Sequence, residues 1–343
     1  MVGAGGWPGV WVRTFIPAMR DRLEVAGIVD LNETALHASA ELLGLAAAQR
    51  FTDIDEAFAT TDADLVLLCT PPRARLSAVA LAAERRLAVL CEKPIADSWQ
   101  DSLAIYRLAR NANIKLSVVQ NYRYTSRTRT LKQVLESGRL GKINSIVCRF
   151  AADYTLATAG GAFRHQIPDA MIYEGAEHHL DMFRHLAGAD AAWVAGTQWN
   201  RDWSTFGNNC CAMFLLEMAN GIIGQYEMTH IARGHENAWH HEYYRVDCER
   251  GAVTIDADDV VRITHKGGEG QERITDVALD DRQPAGHFAV IGEFLDWLDG
   301  GREPPTSAAD NIRTAALAFA AVEASRSHRV IDVRAMLEEA GIA

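Results

Sequence analysis

Apolar residues in the first third of the chain gather in short runs, continuous at 65–69 and 87–91 and nearly so at 25–30 and 116–119. Runs without alternation suit strands buried on both faces, as in a parallel sheet. Helical spacing between the runs predicts helices over 33–43, 76–86 and 99–112. Asn32 and Gly44 are cap residues for the first of these helices. Ser98, with Asp101 in the first turn, opens the last as a capping box. Strands alternating with helices imply right-handed crossovers and a doubly wound α/β sheet.

The pattern changes after Gln120. Helices are predicted over 127–136, 174–186 and 310–325, with a strand near 143–150 and an irregular stretch over 151–173. The strands at 211–217, 222–230, 242–248, 252–256 and 260–265 alternate apolar and polar positions. Alternation leaves one face wet, so this part reads as an α+β domain with an open, mainly antiparallel sheet. A chain of 343 residues is long for a single core. The expected domains are 1–119 and 120–343.

Composition narrows the partners. A net charge of −11 argues against nucleic-acid or membrane-surface binding. The six Cys show no C-x-x-C spacing, and no signal peptide or apolar 18-residue run is visible. A soluble, reduced, cytoplasmic protein is expected.

The candidate chemistry starts at Gly3-Ala4-Gly5-Gly6-Trp7-Pro8-Gly9. Two glycines at i and i+2 let the backbone turn tightly and approach a pyrophosphate at a helix N-terminus. Position i+5, often a third glycine, is Pro8, which a first helical turn accepts. Asp30 lies 25 residues after Gly5, at the end of the next strand. An acid there can take ribose hydroxyls and would repel a 2′-phosphate, which favours NAD over NADP; capping the following helix is its plainer alternative. Only Met1-Val2 stand where a strand should precede Gly3. More apolar residues upstream in the natural protein are therefore expected, and an in-frame coding sequence absent before Met1 would contradict this.

Glu92-Lys93-Pro94 follows the run at 87–91, at a strand's C-terminal end, where ligands bind in parallel sheets. The chain uses 29 Arg and 5 Lys, so a lysine here is against its habit. Burial or a nearby cation lets a lysine exchange a proton. A surface ion pair is the plainer alternative. On the helix at 174–186, Glu174, His178, Asp181 and His185 fall on one face at 100° per residue. They form either a solvated face or a catalytic one. His178 would be its general base, because imidazole titrates near neutral pH. A zinc site is the rival chemistry, but no Cys or third His at metal spacing supports one.

Taken in order, these motifs resemble the glucose–fructose oxidoreductase / inositol dehydrogenase / rhizopine-catabolism (Gfo/Idh/MocA) family. The resemblance rests on Gly3-x-Gly5, Asp30, Leu68-Cys69-Thr70-Pro71, Glu92-Lys93-Pro94, Gln120-Asn121-Tyr122-Arg123-Tyr124 and His178-x-x-Asp181, together with Pro304-Pro305, Asn311 and Glu323-Ala324-Ser325. It spans nearly the whole chain. It implies an N-terminal Rossmann domain holding NAD and a C-terminal domain for substrate and oligomer contacts. The cofactor set would be Gly3, Gly5, Gly6, Trp7, Asp30, Leu31, Cys69, Thr70, Pro71, Glu92, Lys93 and Asn121. Lys93 and His178 would handle the proton, with Glu174 or Asp181 orienting the imidazole; Glu174 stands where the family's D-x-x-x-H pair has Asp. Arg75 falls where relatives often carry His. Tyr122, Arg123 and His165 join Lys93, Glu174 and His178 as substrate contacts. The implied activity is dehydrogenation of a sugar, sugar derivative or cyclitol by a homodimer or homotetramer. NAD-dependent glycoside hydrolysis and non-catalytic NAD sensing are the alternatives.

Overall fold

The computed structural model describes residues 1–155, 165–169, 171–234, 236–237, 239–266 and 270–342, without the side chains of Met171 and Glu174. The chain divides into two compact units. One comprises 1–121 and 287–312, the other 122–286 and 313–343.

The first unit is built on parallel strands β1 (Ile28–Val29), β2 (Arg50–Phe51), β3 (Leu65–Leu68), β4 (Ala88–Cys91) and β5 (Leu116–Val118). β1 pairs with β2, and β3, β4 and β5 pair in sequence. Val2 joins the two sets by bridging Val29 on one side and Leu68 on the other. With Val2 as the first strand position, the order is that of a doubly wound dinucleotide fold. The strands are buried, as their apolar runs require. Helix Glu33–Leu43 has the expected caps: Asn32 accepts from the Ala35 N–H, and Gly44 adopts a left-handed conformation. Ser98 accepts from the Asp101 N–H at the start of helix Trp99–Ala112.

The expected boundary after Val119 is corrected by a return of the chain. Residues 287–312 belong to the first unit rather than the second. Val118 donates its N–H to the Thr306 carbonyl at 2.9 Å, and Ser117 bonds the Thr306 hydroxyl at 2.9 Å. His287 stacks on Phe15 with centroids 4.4 Å apart. Late segments that complete an early domain carry no local signature, because their partners are distant in sequence.

The described residues of the second unit form a nine-stranded sheet in the order β13-β12-β11-β10-β6-β9-β8-β7-β14. Its strands are β6 (Ile143–Ala151), β7 (Ala191–Trp199), β8 (Cys211–Met218), β9 (Ile223–Thr229), β10 (Tyr243–Cys248), β11 (Gly251–Ile255), β12 (Val261–Lys266), β13 (Glu272–Val277) and β14 (Ile331–Asp332). Only β6 and β9 run parallel; every other described pair is antiparallel. One face is buried, with Phe183 of helix Glu177–Ala187 edge-on to Tyr226 of β9. On the other face Met213 and Leu215 are each 46% exposed and Ile223 is 36% exposed. β7, β13 and β14 are absent from the sequence-based strand set.

Candidate active site

In the first unit the chemistry-bearing residues converge at the carboxyl ends of the strands. Gly3 leads out of the Val2 position with φ +99°, and a Cβ there would lie 2.9 Å from the Cys69 carbonyl carbon. The position therefore demands glycine on both conformational and steric grounds. Ala4 and Gly5 donate their N–H groups to Asp30 Oδ2 at 2.6 and 3.3 Å. Asp30 Oδ1 accepts from the Asn32 N–H at 2.8 Å. The cap of the following helix is Asn32, so the capping alternative for Asp30 falls away. Asp30 holds the glycine loop against the end of β1, half-buried, with carboxylate lone pairs left over.

Glu92, at the end of β4, is 5% exposed. Its Oε1 accepts from the indole N–H of Trp7 at 2.7 Å and of Trp11 at 2.8 Å. The carboxylate thus pins the helical turns that follow the glycine loop. Lys93 is half-buried beside it, and Pro94, Ile95 and Ala96 are buried. Cys69 and Thr70 follow β3. Burial, and then the Glu92 charge, push the Cys69 thiol well above its usual range. Asn121 is 3% exposed at the end of the unit.

This edge suits a dinucleotide. Gly6 has φ +65° and open space where a Cβ would stand, so backbone is bare where a pyrophosphate would approach. The Thr70 hydroxyl is buried and lacks a hydrogen-bond partner, which buried polar atoms rarely tolerate. Leu31 is 89% exposed and Trp7 46% exposed, giving apolar surface on either side of the loop for rings to cover.

The second unit carries a polar cluster that the sequence reading only partly foresaw. Tyr122 lies flat against His178, with ring centroids 4.3 Å apart and planes 5° from parallel. The Tyr122 hydroxyl donates to Glu242 Oε1 at 3.1 Å. Glu242 also accepts the His240 N–H at 3.0 Å and faces Arg127 and His179, each at 3.4 Å. His179 Nδ1 is 2.8 Å from the Tyr226 hydroxyl. Burial pushes the Tyr122 phenol well above its usual range, and the Glu242 charge pushes it further. Burial alone would raise Glu242, but hydrogen bonding and charge from His179, the backbone and Arg127 outweigh it and hold the carboxyl below its ordinary value. Glu242, His179 and His240 carried no local sequence signal. His240 sits at φ +69°, an uncommon conformation for a non-glycine residue.

The helix expected over 174–186 is corrected at its start. Residues Met171–Ala176 form a π-helix, and the α-helix begins only at Glu177. Residue 174 therefore lies in the π segment, ahead of the α-helix that carries His178 and Asp181. The Glu174 side chain lies outside the described residues. The α-helix is buried on nearly all sides rather than solvated along one.

Asp181 is 0% exposed and takes Arg123 in a two-pronged ion pair at 2.6 and 2.5 Å. It also accepts from the Thr314 hydroxyl at 2.7 Å. Asp181 thus bonds a guanidinium and a hydroxyl, which its expected role as imidazole orienter did not foresee. Arg123, 5% exposed, is held by this ion pair. His165 is 4% exposed, stacks on Phe206 at 4.1 Å and bonds the Thr205 carbonyl at 3.2 Å. Among the described residues, no three His, Cys, Asp or Glu side chains gather as a metal site.

Comparison with known proteins agrees with this architecture. Residues 1–120 match the oxidoreductase family, NAD-binding Rossmann fold, and residues 128–254 match the GFO/IDH/MocA C-terminal domain. The uncharacterized protein y4oX of Sinorhizobium fredii is 32% identical over 348 residues, covering 98% of this chain and 96% of that one. D-apiose dehydrogenase of Rhizobium rhizogenes is 25% identical and covers 91% of each chain. An oxidoreductase from Agrobacterium radiobacter, solved with NAD+, L-tartaric acid and magnesium, shares the fold with a TM-score of 0.85 at 24% identity, over 98% of both chains.

Glu242 supplies a pH test of the second unit. Its folded-state pKa is depressed, so its stabilising contribution is present above the unfolded value of about 4.3 and is lost as pH falls through the folded value. Resistance of the native chain to urea should weaken as pH drops from 6 towards 3.5. In Glu242→Gln that part of the slope should vanish, with lower stability at pH 7; an unchanged slope would contradict the assignment.

Proposed function

This chain belongs to the Gfo/Idh/MocA family of NAD-binding oxidoreductases, and on that premise we propose that it oxidises a secondary hydroxyl of a sugar, sugar derivative or cyclitol. It is an NAD(P)-dependent oxidoreductase acting on CH–OH groups. The observation that carries the proposal is the strand-end edge of the first unit. There the Gly3–Gly6 loop, Asp30 and the Glu92-Lys93 turn are tied together by the hydrogen bonds of Asp30 and Glu92. The D-apiose dehydrogenase likeness supports a polyhydroxylated substrate.

When bound, NAD supplies the hydride acceptor. The chain's own task is then to hold the cofactor and move one proton. The glycine loop and Asp30 bind the pyrophosphate and ribose. Lys93 hydrogen-bonds the reacting oxygen and relays, while His178 takes the proton as general base. Glu174 is the carboxylate proposed to orient the imidazole. Tyr122, stacked on His178, supports that ring's orientation. His165 is a further substrate contact in this reading. Six free cysteines fit a reducing, cytoplasmic compartment.

The test is Lys93→Met, assayed with NAD and a panel of D-apiose, aldoses, glycosides and myo-inositol. NADH at 340 nm and products by NMR are followed together. NADH binding should persist while turnover falls about 10²–10⁴-fold, the usual share of an acid–base group. Wild-type rates would remove Lys93 from the mechanism. Sugar released without net NADH would replace dehydrogenation with redox-neutral glycoside cleavage.

Asp30→Ser should narrow the preference for NAD over NADP, through lost ribose bonds and lost repulsion of the 2′-phosphate. Fluorescence titration with NADH and NADPH measures it, and an unchanged ratio would count against Asp30.

The open sheet face with Met213, Leu215 and Ile223 is proposed as the contact of a homodimer or homotetramer. Leu215→Glu should shift the species in light scattering towards monomer, since a charge would enter an apolar contact. A native chain that is already monomeric at micromolar concentration would contradict it.

A further inference from the structure

Arg75 is 3% exposed. It opens helix Arg75–Glu84, where a cation works against the helix dipole. A buried charge is costly unless it is fully hydrogen-bonded. What holds this one is backbone. Its Nε and Nη2 both donate to the Thr70 carbonyl, at 3.0 and 2.9 Å. Its Nη1 donates to the carbonyls of Glu92 and Pro94. One guanidinium therefore ties the turn after β3 to the turn after β4, and it grips the main chain on both sides of Lys93.

A planar fork with five donors can serve three carbonyls at once, whereas an ammonium is a point donor. Residue 92 is held twice over, through its carbonyl by Arg75 and through its carboxylate by Trp7 and Trp11. Lys93 is the half-buried side chain that leaves this clamped segment. We propose that Arg75 is the positioning residue that aims Lys93 at the reacting hydroxyl. The proposal rests on the assignment of Lys93 to the proton path. Proton transfer needs hydrogen-bond reach of about 2.6–3.2 Å, and a displacement of about 1 Å can cost on the order of 10²-fold in rate.

The test uses the full chain, whose five lysines make labelling tractable. Reductive ¹³C-methylation gives resolvable lysine signals, with that of Lys93 identified through Lys93→Arg. NADH should shift the Lys93 signal in the native chain. In Arg75→Gln that shift should collapse, although NADH affinity changes by less than about threefold, a small free-energy difference. With whichever panel substrate is turned over, Arg75→Gln should lower kcat by about 10–100-fold with little change in KM. The double variant Lys93→Met/Arg75→Gln should be no slower than Lys93→Met, because both substitutions then remove one function. Losses that multiply, a native-like Lys93 shift in Arg75→Gln, or a native Lys93 signal that ignores NADH would each overturn the proposal. Full activity in Lys93→Met would instead sink the Lys93 assignment and leave the label shift to decide on Arg75. If circular dichroism shows Arg75→Gln unfolded, Arg75→Lys is held to the same criteria.

Discussion

Glu92 accepts two indole N–H groups, from Trp7 and Trp11, in a site it shares with almost no solvent. A buried carboxyl without hydrogen-bond partners would be costly, because its lost hydration would go unreplaced. Two charge-assisted hydrogen bonds keep it in place, and they do so by drawing the turns after the glycine loop onto the end of β4. The glycine loop is in turn fixed by Asp30 and by the close pass of Gly3 over Cys69. The cofactor edge of the first unit is thus shaped by a few buried polar contacts laid over an apolar sheet. Removing any of them leaves partners unsatisfied at about 1–3 kcal/mol each.

Much of the first unit was legible because its signals are local. An unbroken apolar run, an Asn cap and a left-handed glycine act within a few residues, and the strands and helices they predict are present to within a residue or two at most ends. Glu92-Lys93-Pro94 could be placed at a strand end for the same reason. What the sequence could not disclose were pairings across long separations: the return of 287–312 to the first unit, Trp7 and Trp11 on Glu92, and Arg75 on three carbonyls.

The second unit shows the opposite balance. Helical spacing grouped Glu174, His178 and Asp181 on one face, and burial of the α-helix excludes the solvated reading of that face. Asp181 turned out to neutralise Arg123, and the carboxylate at the centre of the histidine and tyrosine cluster is Glu242, at the start of a strand in a different part of the chain. Nothing within several residues of Glu242 distinguishes it from a surface acid. Its meaning comes from Tyr122, His179, His240 and Arg127 meeting there.

The central claim is that the strand-end edge of the first unit is the dinucleotide site. Hydrogen–deuterium exchange of the full chain with and without NADH tests it without a known substrate. Slowed exchange should appear in peptides covering 2–11, 28–33, 69–76 and 92–96. Saturating NADH that leaves these segments unprotected, or protects a different set, would contradict the account.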